Sequence, residues 1–543
     1  MAKGWLLLLK WFKNRLGLDQ KTESRGGERD LSTLLEETAR DKFTGQLELD
    51  LKKIDDAGGS SYDFTLRRFH AGGLPGALLY FEGLTDKRST EEILRTLILE
   101  SEKLKIPFKK GKGLEIAREK LLISDELSIV ENIAGLFAEL SRGGAALLFE
   151  GSAAVLICDT RKPEIRAISE PENETVLRGP RDGFIENLQV NTSLIRLRLP
   201  IPQLWIEKMI LGRLSKTEVA LLYIKGLARD KLVRETHSRL QQIDLDAVLG
   251  TGYLEDYIVD NPNTLFPLAY RTERPDKVTA ALLEGRVVIL VAGTPFALIV
   301  PTELNMLMQA PDDYFELLPI AVFVRLLRYA ALVISLLLPG IYVGVVTFHP
   351  ELLPTPLFLR IISTREGVPF PVIAEMLILE MIFEVLREAG LRLPPAIGPA
   401  ISIVGALILG DAAIRAGLVS PGVVIIVALT AIAGFSTPAF ALSTAIRLLR
   451  FAFTIMGATF GLFGVQFALL LTVVHLCSLR SFGVPYLSPF APLILSDLKD
   501  SLITVWRWGM LGRPKLIGGR EPLRQPVGQK PRAGKDPGED EGS

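Results

Sequence analysis

The chain has 543 residues, 62 basic and 62 acidic side chains, no formal net charge and 48% hydrophobic residues. The overall charge balance by itself carries no functional reading, and no nucleic-acid partner is expected. Two cysteines, Cys158 and Cys477, give no disulfide framework, and four scattered histidines have no metal-ligand spacing.

The average hides two regimes. Up to about Pro319 the sequence is dense in charge; beyond it, Tyr329–Phe348, Pro421–Ile446 and Phe451–Val474 carry none. A helix needs roughly 20 apolar residues to cross about 30 Å of hydrocarbon, and a spanning backbone must satisfy its own hydrogen bonds. The expected fold is therefore mixed: two tandem duplicated α/β soluble domains followed by an all-α polytopic membrane domain. The expected units are residues 1–40 (an N-terminal amphipathic or flexible extension), 41–160 (domain 1), 161–181 (linker), 182–319 (domain 2), 320–496 (membrane helices) and 497–543 (a basic, partly disordered tail).

In the first unit, Trp5, Leu8, Leu9, Phe12 and Leu16 share one helical face beside Lys10, Lys13 and Arg15. This pattern fits a helix lying on a membrane surface, or one docked on a core.

The charged half contains an internal repeat. Ala77-Leu-Leu-Tyr-Phe-Glu-Gly-Leu84 returns as Ala220-Leu-Leu-Tyr-Ile-Lys-Gly-Leu227, and two looser matches follow at offsets of 141 to 142 residues. Each copy has a buried-strand run, a polar helical stretch (Thr90–Ser101; Asp230–Ile243) and a hairpin. The hairpins turn at Glu150-Gly151-Ser152 and Ala292-Gly293-Thr294. No Walker A string, dinucleotide fingerprint or nucleophile elbow occurs, so no enzyme, cofactor or metal site is expected.

In the apolar half, a span is expected at Phe323–Phe348, kinked at Pro339-Gly340, with Arg325 and Arg328 at its edge as gating or ion-pair candidates. Val372–Ala389 carries Glu375, Glu380 and Glu384. These are candidates for an ion pathway if the helix lines water; otherwise the segment is amphipathic and juxtamembrane. Asp411 and Arg415 are an i,i+4 pair near the end of a third stretch, Ile397–Val419. Further stretches are Pro421–Leu442 and Phe451–Leu476. In the last, Gly457, Gly461 and Gly464 form a helix-packing surface. Arginines beside the spans place the head in the cytoplasm. The basic tail favours the same side, which conflicts with five crossings unless Val484–Leu495 returns through the membrane; four to six spans remain open.

Several strings resemble the A subunits of GerA-type spore germination receptors. They include Asn191-Thr-Ser-Leu-Ile195, Arg271-Thr-Glu-Arg-Pro-Asp276 and Gly293-Thr-Pro-Phe-Ala-Leu-Ile-Val-Pro301. Further matches are Arg365-Glu-Gly-Val-Pro-Phe-Pro371 and His475-Leu-Cys-Ser-Leu-Arg-Ser-Phe-Gly-Val-Pro-Tyr-Leu-Ser-Pro489. The resemblance covers roughly Ser60 to Arg513. It implies a multi-pass protein of the spore inner membrane with its head in the spore core. It also implies a homo-oligomeric, nutrient-gated channel for monovalent cations, with a transporter-like B subunit and a lipoprotein C subunit as partners. The related SpoVA-operon F-type proteins share these strings. A germination-amplifying F-type channel, a secondary nutrient transporter and a non-conducting scaffold are the alternative readings.

Overall fold

The computed structural model describes residues 30–531, apart from 60, 104–107, 122–126, 162–169, 172, 173, 175, 177, 393–409, 520 and 527. The amphipathic pattern at Trp5–Leu16 and most of the stretch Ile397–Val419 lie outside the described residues. A soluble-type region with two sheets precedes a helical region.

The first sheet contains β1 (Phe64–Ala71), β2 (Leu74–Phe81), β3 (Leu127–Val130), β4 (Gly144–Phe149) and β5 (Val155–Asp159), in the order β1-β2-β4-β5-β3. The second contains β6 (Leu204–Leu211), β7 (Thr217–Ile224), β8 (Tyr270–Thr272), β9 (Val287–Val291) and β10 (Ala297–Val300), in the order β6-β7-β9-β10-β8. All neighbours in both sheets are antiparallel. The central strands are buried along their length, which is why they read as continuous apolar runs.

Helices cover both faces of each sheet. On one face of the first lie α2 (Leu47–Gly58) and α4 (Ile133–Ser141), through Leu51, Ile54, Leu136 and Phe137. The opposite face is covered by α3 (Lys87–Arg95) and the turns after it, with Leu97 buried there. In the second unit, α5 (Leu188–Arg198) and α8 (Pro275–Leu283) share one face, and α6 (Asp230–Gln241) and α7 (Thr251–Ile258) the other. The helix α1 (Leu31–Arg40) bridges the units. Its first turn meets Gly226, and the Ala39 carbonyl accepts from Asn132.

The connecting segment is tied down at Glu174. Its carboxylate accepts from Lys277 Nζ and Tyr270 Oη, both at 2.9 Å, and from Thr272, while Arg274 donates to its carbonyl. Burial raises this carboxyl, but Lys277 and the two hydroxyls outweigh it and hold it below the ordinary range.

The helical region begins with α9 (Leu318–Phe348) and continues through α10 (Thr355–Arg365), α11 (Val372–Arg392), α12 (Pro421–Phe435) and α13 (Phe440–Ser478). Among the described residues, α9 and α13 are long and apolar enough to cross a membrane; α12 is shorter, and α11 carries too many charges to qualify.

The path of α13 is the main departure from expectation. Ser335 of α9 meets Arg450, Gly340 meets Phe453 and Gly457, and Gly344 meets Gly461, so the first half of α13 runs beside α9 away from the head. At Gly461 the backbone takes φ 61° and ψ −148°, a conformation that disfavours any Cβ. The chain then folds back. Gly464 lies against Met456, and His475 reaches the second unit, where its Nε2 stands 2.9 Å from Thr264 Oγ1. Thus Gly461 makes a reversal instead of packing one straight helix. By contrast, α9 runs unbroken through Pro339.

After Ser478 the chain is on the head again. A small hairpin, β11 (Arg480–Ser481) with β12 (Val484–Pro485), leads to Tyr486, which is fully buried and accepts from Leu304 N. Val484–Leu495 is therefore not a helix returning across a bilayer. Residues 497–531 do not form a free tail either. Ile517 is buried, Gly519 N donates to the Leu227 carbonyl, and Arg524 pairs with Glu284.

A side chain at Gly457 would collide with the Gly340 carbonyl, so Gly457→Val lowers the unfolding free energy of the detergent-solubilised full chain by about 1–3 kcal/mol. Gly252→Ala, with open space around it, leaves that free energy within about 1 kcal/mol. The depressed Glu174 carboxyl stabilises the fold above the ordinary carboxylate range, and that contribution is lost as pH falls through its lowered pKa. Stability profiles of the wild type and Glu174→Gln should accordingly converge at acid pH and separate above pH ~5; parallel profiles would contradict this assignment.

Candidate functional site

Two charge clusters stand out against the apolar helices. The first is at the foot of α9. Arg325 and Arg328 are buried, one turn apart on the same helix face. Arg325 Nε donates to Asp313 Oδ2 at 3.0 Å. Arg328 donates to both Asp313 oxygens at 2.9 and 3.0 Å and to the Met308 carbonyl. Asp313 belongs to the short helix Asp312–Phe315 just before α9. Arg325 Nη1 also donates to Asp500 Oδ1 at 3.0 Å and to the Ser501 carbonyl. Tyr314 Oη donates to Asp500 Oδ2. Burial pushes the Asp500 carboxyl above its ordinary value, against the pull of Arg325. The two arginines thus point into protein; they do not extend along the helix toward water.

The second cluster lies between α11 and α13, level with Ser335 partway along α9. Glu384 accepts from Arg447 Nη1 at 2.5 Å. Glu380 is 2% exposed, and neither of its carboxylate oxygens has a hydrogen-bond partner among the described residues. Arg450 is 5% exposed and donates to Ser335 Oγ at 3.4 Å, and its Nε has no hydrogen-bond partner among the described residues. Arg387 stacks over Phe435 at 5.0 Å. Two carboxylates and three guanidiniums therefore share a poorly hydrated space with incomplete pairing, an arrangement that costs free energy when static.

Of the four carboxylates of α11, the three candidates Glu375, Glu380 and Glu384 are not brought to one place. Glu375 sits in the first turn, fully buried. One oxygen pairs with Arg365 of α10 at 3.1 Å; the other accepts from Ser420 N and Oγ, both at 2.7 Å, at the start of α12. It anchors a helix N-terminus. Asp411 and Arg415 do pair, at 2.7 Å, but both are largely exposed. Gly457 packs on Gly340, Gly461 makes the reversal, and Gly464 packs across it.

Sequence reading missed Asp313 and Asp500, whose distance along the chain from α9 and ordinary local context give no signal. It also missed Arg447 and Arg450 as partners. A signal for these existed: buried carboxylates in an apolar region require nearby cations. Among the described residues, no group of three or more His, Cys, Asp or Glu is placed to hold a metal ion.

Asp313→Asn leaves two buried guanidiniums short of charge and should destabilise the full chain by about 3–5 kcal/mol. Asp411→Asn, which loosens an exposed i,i+4 pair, should cost no more than about 0.5 kcal/mol. Thermal unfolding in detergent checks both.

A sequence model of the GerA family, described as "Bacillus/Clostridium GerA spore germination protein", matches residues 52–516. The chain is 43% identical over 476 residues to spore germination protein KA of Bacillus subtilis (strain 168), covering 87% of each chain. It is 38% identical over 453 residues to spore germination protein A1 of the same organism, covering 83% of this chain and 91% of the relative. It is similar to the crystal structure of the N-terminal domain of the A subunit of the Bacillus megaterium spore germinant receptor GerK3. That likeness has 34% identity and a TM-score of 0.39, over 48% of this chain and 96% of that one. With this extent of likeness along its length, the chain belongs to the GerA family of spore germination proteins.

Proposed function

We propose that the chain is the A-type subunit of a spore germinant receptor. Copies assemble in the spore inner membrane into a nutrient-gated channel for monovalent cations, with the two-sheet head in the spore core. A transporter-like B subunit and a lipoprotein C subunit supply the nutrient signal. The chain has no enzymatic role in this reading. The two units of the head are copies of one domain, which the common strand order and the sequence offset support.

Dimensions support the membrane assignment. From Arg325 to Phe348, α9 is about 36 Å long; the halves of α13 before and after Gly461 are about 32 and 26 Å. These match a hydrocarbon layer of about 30 Å. The reversal supports an even number of crossings, because both the head and residues 480–531 lie at the same end. This removes the conflict between the basic tail and an odd count of spans.

The observation that carries the channel reading is Glu380. A carboxylate buried among apolar helices without a hydrogen-bond partner is expensive, and such groups mark ion routes. With Glu384 it gives the cluster a negative side that favours cations, while Arg447 and Arg450 hold it closed in the described arrangement. Movement of α11 against α13 would separate these charges and admit water.

The test is planar-bilayer conductance of the purified chain, alone and with its B-type partner. Cation-selective current is expected. A charge ~5 Å from a passing cation is worth about 3 kcal/mol at an effective dielectric near 20, so Glu380→Gln should lower that current about a hundredfold at low salt. Unchanged conductance in the variant would remove Glu380 from the route. Silence from folded, oligomeric protein in both preparations would overturn the channel in favour of a scaffold; saturable substrate counterflow would favour a transporter.

A further inference from the structure

The segment after Asp500 is not absorbed by the proposed ion route. Ser501 and Thr504 point inward and are buried. Between and beyond them, Leu502, Ile503 and Trp506 are 40%, 52% and 50% exposed. Trp506 and Trp508 stack, with ring centroids 6.5 Å apart and planes 8° apart. Lys499 and Arg507 are exposed beside them. Adjacent exposed apolar and aromatic side chains on a short irregular segment cost solubility and need a cover.

The height of this segment is fixed. Arg325 holds Asp500 and the Ser501 carbonyl, while Arg507 donates to the Tyr314 carbonyl and lies over the Tyr314 ring at 4.7 Å. The segment therefore stands level with the second turn of α9, where Phe323, Leu326 and Leu327 are 66%, 45% and 55% exposed. The two apolar surfaces share this level on different sides of the foot of one helix, since Phe323, Leu326 and Leu327 lie away from the Arg325 face. Tryptophans flanked by basic side chains at the end of an apolar helix fit the boundary between acyl chains and phosphate headgroups.

We infer that residues 499–508 form a membrane-seated collar. Leu502, Ile503 and Trp506 enter the acyl boundary of the leaflet on the head's side, and Lys499 and Arg507 meet lipid phosphates. This inference rests on the reading of α9 as a membrane span. Through Asp500 and Arg325, the collar would fix the depth of α9 in the bilayer.

The test uses the full chain carrying Cys158→Ala and Cys477→Ser, reconstituted in nanodiscs of phosphatidylglycerol and phosphatidylcholine. An environment-sensitive fluorophore is attached at Ile503→Cys, at Leu502→Cys as a second collar position, at Phe323→Cys in α9, and at Lys52→Cys on the head. Quenching by spin-labelled lipid is compared with quenching by aqueous iodide. The collar and Phe323 probes should lose emission to the lipid label and be shielded from iodide, with the reverse at Lys52. Lipid quenching at Phe323 with iodide quenching at both collar sites would overturn the collar while leaving α9 in the membrane. Shielding of the collar from both quenchers would overturn it in favour of contact with a second copy. Absence of lipid quenching at Phe323 as well would overturn the membrane reading and the collar together.

Discussion

The structure depends on one buried carboxylate. Asp313 lies between Arg325 and Arg328, and all three side chains are withdrawn from solvent. Two guanidiniums against one carboxylate leave an excess positive charge, which Asp500 meets from the far end of the sequence. Stranding any of these groups costs several kcal/mol. Hence the foot of α9, the end of the second unit and the segment after α13 form one junction. The head also meets the helices at His475, against Thr264, and at the loop between α12 and α13, where Pro438 and Phe440 line one cavity with Tyr270 and Thr272.

Above the junction, close backbone contact takes over from charge. Gly340 on Gly457 and Gly344 on Gly461 bring α9 and α13 together without intervening side chains. In an apolar solvent such packing, more than hydrophobic burial, joins helices. The contrast with α11 is physical. Its Glu375, in the first turn, is held by an ion pair with Arg365 and by two hydrogen bonds from Ser420. Five residues on, Glu380 has no hydrogen-bond partner for either oxygen among the described residues.

The sequence carried the local parts of this design. Apolar runs closed by glycine located the central strands and both hairpins, because buried strands and tight turns are set by a few neighbouring residues. Edge strands were harder. In β1, Arg67, Arg68 and His70 interrupt the pattern, and in β6 Glu207 and Lys208 do the same. Charge loss located α9, α12 and α13, but Gly461 looked like any packing glycine. Its reversal follows from contacts between Gly464 and Met456, and between His475 and the head. The docking of residues 480–524 was least legible. Basic, proline-rich composition reads as a solvated tail, whereas Tyr486 and Ile517 find their cover in strands and helices about 200 to 300 residues away. At the candidate site, the residue types were readable and their partners were not.

The turn of the chain at Gly461 brings residues 480–531 to the side of the head, and side-specific labelling tests this most directly. Single cysteines at Leu352 beyond α9, at Lys52 on the head and at Lys515 after α13 would be probed in sealed, oriented proteoliposomes with an impermeant maleimide. With the reversal, Lys52 and Lys515 label from one side and Leu352 from the other. Labelling of Lys515 together with Leu352, opposite to Lys52, would contradict the reversal.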